Sequence, residues 1–291
     1  MRLADPSPGL QPDPAALAAA ARRQETPCGP GSMAWRSWGE GVPVVLAHGG
    51  HGAWSHWIRT IPVLARRFRV IAPDLPGHGD SATPPEPHSA AGLGAIMAEG
   101  LRRVLAPGES CHLVGFSFGA VIAGAAAAEL PGRVRQFVLV GAGGLDLPRA
   151  PRPELSRWRG LDGEDEKLRA HRENLAALMF ADPAHIDALA LELQAANTAR
   201  ARIRTHLISR TDALKRALPL VAAGGARLAG IWGSEDATAR GFIGLRRELL
   251  RGIDPGAAFT EIEGAGHWVQ YEAAAAFAAA LAAILDRPLA G

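Results

Sequence analysis

Cys111-His112-Leu113-Val114 runs directly into Gly115-Phe116-Ser117-Phe118-Gly119, and an alanine-rich stretch, residues 120–130, follows without a break. A short apolar run of this kind suits a strand buried on both faces, and the stretch after it reads as a helix. A chain that passes from strand to helix this abruptly needs small residues on either side of the turn, because side chains there would run into neighbouring backbone. Gly115 and Gly119 stand two before and two after Ser117 and meet that need. The pattern G-x-S-x-G therefore predicts a tight turn that lifts the Ser117 hydroxyl to the carboxyl end of a sheet. There the N-terminus of the next helix favours developing negative charge.

Working outward, apolar runs and helical patterns alternate. Upstream, residues 13–23 read as a helix, 26–31 as turn-rich, 33–38 as a strand, Gly39-Glu40-Gly41 as a hairpin-like turn and 43–47 as a buried strand. A helix over 57–66, a strand over 68–72 and a helix over 91–105 lead up to the serine. Downstream come strands over 135–140, 228–232 and 258–262, with helices over 241–251 and 271–285. Such alternation predicts an α/β fold with a mostly parallel, doubly wound sheet. It is interrupted between 148 and 221, where a charged stretch reads as helices over 164–179, 183–202 and 207–217. The expected organisation is a core of residues 1–147 and 222–291 with a helical cap, 148–221, inserted into it.

The composition of the 291 residues, 48% hydrophobic and 21% charged, suits one large globular domain with an insertion and excludes disorder as the main state. Thirty-one Lys and Arg against 29 Asp and Glu give a formal charge of +2, with no basic run. The isoelectric point of about 8.8 does not by itself make a phosphate-binding surface, so no nucleic-acid partner is expected. Two cysteines, Cys28 and Cys111, are too few for a disulfide framework or a four-ligand zinc site and fit a reducing cytoplasm. Residues 1–11 lack the apolar core of a secretory signal, and the alanine-rich stretch 273–285 falls short of the roughly 20 residues that span a bilayer. A cytoplasmic protein with a small-molecule partner and no membrane is the expectation; oligomeric state is left open.

A serine hydroxyl is a weak nucleophile near neutral pH and needs an adjacent base held by a third group. With this type of turn the acid and the histidine follow the serine in the chain. Of the histidines beyond Ser117, His171, His185 and His206 fall in the helical insertion, which leaves His267 after strand 258–262. Asp236, after strand 228–232, is selected as the acid over its neighbour Glu235 and over Asp146 after the preceding strand. Another strand ends in Leu46-Ala47-His48-Gly49-Gly50-His51-Gly52, and the backbone N–H groups of Gly50 and Phe118 are the expected donors to an oxyanion.

His48, His51 and His56 have no carboxylate among them and no familiar ligand spacing, so neither metal nor cofactor is expected. Asp74-Leu75-Pro76-Gly77-His78-Gly79-Asp80-Ser81 reads as a structural turn. Trp54, Trp57, Phe116, Phe118 and Trp268 flank these segments, and Trp54, Phe116 and Trp268 are pocket candidates alongside core packing.

Taken together the chain resembles the α/β-hydrolase superfamily over nearly its whole length. The resemblance is carried by His48-Gly49, Asp74 to Gly79, the turn at Ser117, Trp232-Gly233 followed by Asp236, and Gly266-His267, in that order. It implies that residues 148–221 cover a pocket. Serine at 117, where haloalkane dehalogenases and epoxide hydrolases carry aspartate, makes the chain unlike those two groups. Gly141 to Leu145 and His267 to Glu272 are similar to segments of the meta-cleavage product hydrolases, which split carbon–carbon bonds. That group has an asparagine before its nucleophile where this chain has Phe116, and G-P-G where this chain has Gly50-His51-Gly52.

The expected activity is cofactor-free hydrolysis of a small carboxylic ester or related acyl compound. The alternative is carbon–carbon hydrolysis of a dienoate or β-diketone by the same triad, with Arg200, Arg202 or Arg204 of the cap holding a carboxylate. A plain cover of the helix surface competes for those arginines. A ligand receptor of the same shape is the reading from another class.

Overall fold

The computed structural model describes residues 12–151 and 153–288. The expectation about a leader at 1–11 lies outside them. Eight strands form one sheet: β1 (Arg22–Cys28), β2 (Gly31–Trp38), β3 (Pro43–Ala47), β4 (Arg69–Pro73), β5 (Cys111–Phe116), β6 (Val134–Val140), β7 (Arg227–Gly233) and β8 (Ala258–Ile262). Their order across the sheet is β1-β2-β4-β3-β5-β6-β7-β8. The β1–β2 and β2–β4 pairs are antiparallel and all others parallel.

The helices are α1 (Pro14–Ala19), α2 (Ile61–Leu64), α3 (Ala90–Val104), α4 (Phe118–Ala128), α5 (Glu164–Leu178), α6 (Ala188–Ala199), α7 (Thr205–Ser209), α8 (Ala213–Ala223), α9 (Ile243–Ile253), α10 (Val269–Glu272) and α11 (Ala274–Leu285). The residues of β3 and β5 are buried throughout, as expected of strands with helices on both faces. One apolar cluster joins α3, α4, α8 and α9 to one face of the sheet. The other joins α2, α10 and α11, with α5 and α6 of the insertion, to the opposite face.

Three local expectations are corrected. The helix over 13–23 stops at Ala19, and residues 22–28 form the edge strand β1, which turns into β2 through Gly29 and Pro30. Its residues are mostly polar and only Thr26 and Cys28 are buried, so burial leaves little signal in the sequence; the strand is ordered by its ladder to β2. Gly39-Glu40-Gly41 does not close a hairpin: β2 and β3 are separated by β4. A Cβ on Gly39, at φ +69°, would lie 2.3 Å from the Ala65 carbonyl oxygen, so the crossover passes against the α2 turn where only glycine fits. The expected cap helices 183–202 and 207–217 are each broken, giving α6 and then α7 and α8. Of these, α8 packs on α4.

After β3 the chain adds β4 on one side and later β5 on the other. Loops leaving the carboxyl ends of β3 and β5 therefore diverge and open a crevice, the usual ligand position in an open α/β sheet. Both Gly50 and Ser117 lie on those loops.

Candidate active site

Ser117 joins β5 to α4 with φ +52° and ψ −113°, a region that side chains rarely enter. Its neighbours explain why the turn holds. A Cβ on Gly115 would lie 2.4 Å from Ala120 Cα, and one on Gly119 would lie 2.3 Å from the His48 carbonyl oxygen. The Ser117 N–H donates to the Val140 carbonyl at 2.8 Å, which ties the turn to the end of β6.

His267 follows β8 and places Nε2 3.0 Å from Ser117 Oγ. On its other side Nδ1 lies 2.9 Å from Asp236 Oδ2. Asp236 Oδ1 accepts from both the Thr238 N–H and the Thr238 hydroxyl at 2.8 Å. Burial alone would raise the Asp236 carboxyl. The charge of His267, its hydrogen bond and the two from Thr238 outweigh burial and hold the group below the usual carboxylate range. Neither rival acid takes part: Asp146 is exposed and pairs with Lys215 at 3.4 Å, and Glu235 pairs with Arg240 at 3.3 Å. Gly141, at φ +50°, leaves no space for a side chain, since its Cβ would lie 3.1 Å from Asp236 Oδ2 and from two atoms of the His267 ring.

Ser117 and His267 open on a cavity of about 440 Å³, within the range of small-molecule sites. Gly50 and Phe118 both line it. A Cβ on Gly50 would stand 3.6 Å from Phe118 Cβ and 2.6 Å from Thr205 Oγ1, so the two expected amide donors are neighbours beneath α7. Phe116 and Phe118 form part of the wall, and the Phe116 ring lies 5.0 Å from that of His267.

The other aromatic candidates sit elsewhere. Trp54 packs on Trp38 at 5.5 Å under the Arg36 guanidinium. Trp57 packs between Phe116 and Phe277. Trp268 packs on Tyr271 and donates Nε1–H to the His56 carbonyl at 3.0 Å.

The cap arginines proposed from sequence are corrected as well. Arg200 binds Asp80, and Arg202 bonds the carbonyls of Gly79 and Ser81 and the Thr83 hydroxyl. Arg204 is exposed and precedes α7, and none of the three lines the cavity. Arg200 and Arg202 fasten the insertion to the 74–81 turn, which is structural as expected. Asp74 there is buried and accepts from the Trp54 and Asp80 N–H groups and from Arg36.

The cavity instead carries Arg149, Arg210 and Arg246, which the sequence reading missed. The signal available was Arg246 on the same stripe of α9 as the buried Ile243 and Leu250. Glu272 was also missed: its buried carboxylate accepts from the Gly266 N–H at 2.7 Å and the Ala181 and Asp182 N–H groups at 3.0 Å. It thereby links the His267 loop to the insertion.

The histidine loop is a hydrogen-bonded scaffold. His48 Nδ1–H donates to the Gly49 carbonyl at 2.7 Å, and its Nε2 accepts from the Leu75 N–H at 2.8 Å. His56 Nδ1 accepts from the Gly49 N–H at 3.3 Å. Burial presses the His48 value down to about 4, and burial with the neighbouring His48 charge presses His78 down to about 3. Both rings are neutral at pH 7. Among the described residues no cluster of His, Cys, Asp and Glu has the arrangement of a metal site. Cys28 and Cys111 are free and buried, and no described helix is long and apolar enough to cross a membrane.

Residues 44–280 match the profile of the alpha/beta hydrolase family, and the chain belongs to that family. It is 40% identical over 113 residues to 2-hydroxymuconate semialdehyde hydrolase of Pseudomonas sp. (strain CF600), covering 38% of this chain and 40% of that protein. A second relative, 2-hydroxy-6-oxo-2,4-heptadienoate hydrolase of Pseudomonas putida, is 40% identical over 112 residues with the same coverage. The chain thus spans about two fifths of the length of the curated relatives it matches.

Among solved structures, a meta-cleavage product hydrolase from Pseudomonas fluorescens IP01 superposes with a TM-score of 0.70 at 23% identity, covering 90% of this chain and 97% of that one. An esterase from Rhodococcus sp. ECU1013 superposes with a TM-score of 0.72 at 21% identity, covering 93% and 100%. Identities this low show a shared fold.

Proposed function

We propose that the protein is a serine hydrolase that cleaves a small carboxylic ester or related acyl compound. The observation that carries this reading is the unbroken line Asp236–His267–Ser117, with bonds of 2.9 and 3.0 Å, at a strained turn facing a cavity. Ser117 Oγ attacks the substrate carbonyl while His267 Nε2 takes its proton. Asp236 keeps the Nδ1–H tautomer and stabilises the imidazolium. The tetrahedral oxyanion is received by the N–H groups of Gly50 and Phe118. His267 then passes the proton to the departing alcohol, and a water activated by the same ring releases the acid from the acyl-serine. The step needs no cofactor.

A second reading, carbon–carbon hydrolysis with the same triad, is favoured by the partial similarity to the two dienoate and semialdehyde hydrolases. The ester reading stands first because Phe116 presents an aromatic wall beside His267, where the meta-cleavage group has an amide. Purified protein assayed on 4-nitrophenyl butyrate and on a ring-fission dienoate separates the two. Ser117→Ala is expected to lower ester turnover by about three orders of magnitude or more, and adding His267→Ala to cost little further, because the two residues act as one unit. Turnover of the dienoate far above that of the ester would reverse the order of the readings. Ester turnover that survives Ser117→Ala would sink both.

A further inference from the structure

Three separate segments bring guanidinium groups to the cavity that contains Ser117. Arg149 comes from the stretch after β6, Arg210 from the end of α7 and Arg246 from α9. Arg149 and Arg210 are exposed, whereas Arg246 is only 3% exposed. Arg246 Nη1 donates to the Phe242 carbonyl at 2.8 Å, and its buried Nε–H has no hydrogen-bond partner. Among the described residues none of the three arginines forms an ion pair, in contrast to Arg36, Arg59, Arg69 and Arg227.

Their surroundings sharpen the imbalance. Arg149 and Arg246 repel each other, as do Arg149 and Arg210. The carboxylate whose charge reaches both Arg149 and Arg246 is Asp236, already engaged by His267 and Thr238. Asp146 also lines the cavity, but it pairs with Lys215. The segments are held together by hydrogen bonds: the Ala150 N–H donates to the Thr238 carbonyl and the Gly144 N–H to the Ser209 carbonyl, which also accepts from the Arg149 side chain through Nη1. Burying a guanidinium without an anion opposes folding, and the planar N–H fork is the shape that matches a carboxylate.

We propose that this end of the cavity is an anion subsite, and that the substrate bears a carboxylate, remote from the carbonyl that Ser117 attacks, held by Arg246 with Arg149 and Arg210 at the mouth. This rests on the reading of Ser117 as the nucleophile. The substrate class is then a half-ester of a dicarboxylic acid or an ester of similar charge placement. Attack forms the Ser117 Oγ–carbonyl bond and breaks the bond to the alcohol, which leaves with the proton from His267. Water then yields the free diacid and restores the serine.

The test compares mono-4-nitrophenyl glutarate with 4-nitrophenyl 5-methylhexanoate, in which an isopropyl group replaces the carboxylate. The wild type is expected to favour the anionic ester in kcat/KM by about tenfold or more. Arg246→Met and, separately, Arg149→Met are each expected to lower the anionic-to-neutral ratio by about tenfold, chiefly through KM on the anionic ester. Because Arg246 is buried, Arg149→Met also serves if Arg246→Met fails to fold, together with competitive inhibition of wild-type neutral-ester turnover by glutarate.

A wild type that does not discriminate, or variants that slow both esters equally, would overturn the subsite. In the latter event a shifted pH–rate profile would assign Arg246 to the support of Asp236. Neutral-ester turnover that persists in Ser117→Ala would instead refute the nucleophile itself, independently of the arginine result.

Discussion

Acidification from pH 7 to pH 5 should strip the protein of much of its stability, and buried histidines are the cause. His48, His78 and His112 are each at most 5% exposed, and burial lowers them from 6.5 to about 4, about 3 and about 4. Their folded values lie below the unfolded one, so between pH 6.5 and 4 the unfolded chain binds more protons than the folded one. Their contribution is fully present above pH 6.5 and falls away as the pH drops toward 4. At pH 5 each group costs about 2 kcal/mol relative to pH 7, and the three together about 5 kcal/mol, since His48 and His78 are coupled.

A loss of that size matches the whole stability of a marginal domain and corresponds to a fall in Tm of roughly 10–20 °C for a chain of this length. The local reason is explicit at His48: both ring nitrogens are engaged in the neutral form, and a proton on Nε2 would face the Leu75 N–H. Thermal unfolding followed by circular dichroism at pH 7, 6 and 5 measures the effect. His112→Leu, on β5 and with an unpartnered Nδ1, should narrow the gap between pH 7 and pH 5 by about 4–8 °C. A Tm that is flat over this range, or a gap equal in wild type and variant, would refute the reasoning.

Two further outcomes test the frame around the nucleophile. Asp236→Asn should keep the fold and lower kcat by about 10⁴, because an amide supports the wrong imidazole tautomer; Asp146→Asn, at an exposed pair with Lys215, should change kcat less than threefold, roughly 0.6 kcal/mol. The opposite ranking in steady-state kinetics would move the acid to the end of β6. Glu272→Gln replaces a carboxylate that accepts from three backbone N–H groups and should destabilise the protein by roughly 2 kcal/mol in urea unfolding. An unchanged midpoint would mean that this link between the His267 loop and the insertion carries no energy.

The local order of residues was enough to determine the strand-turn-helix at Ser117, the buried parallel strands, and the sequence Ser117, Asp236, His267 along the chain. Those features depend on neighbours in sequence: apolar runs, glycines that a tight turn demands, and loops that must leave the carboxyl ends of successive parallel strands. The edge strand β1 was not legible, because its polar residues gain order from the ladder to β2 and little from burial. The sheet order likewise separates β2 from β3, which adjacency in sequence could not show.

Only the tertiary structure decided the walls of the cavity. Arg200 and Arg202 sit in the insertion as expected of gripping cations, yet they are drawn to the 74–81 turn. Arg149, Arg210 and Arg246, separated by 61 and 36 positions, meet at the cavity because the stretch after β6, the residue that ends α7 and the first turn of α9 all line it. Such convergence is a property of packing between distant segments, and no period or motif along the chain encodes it.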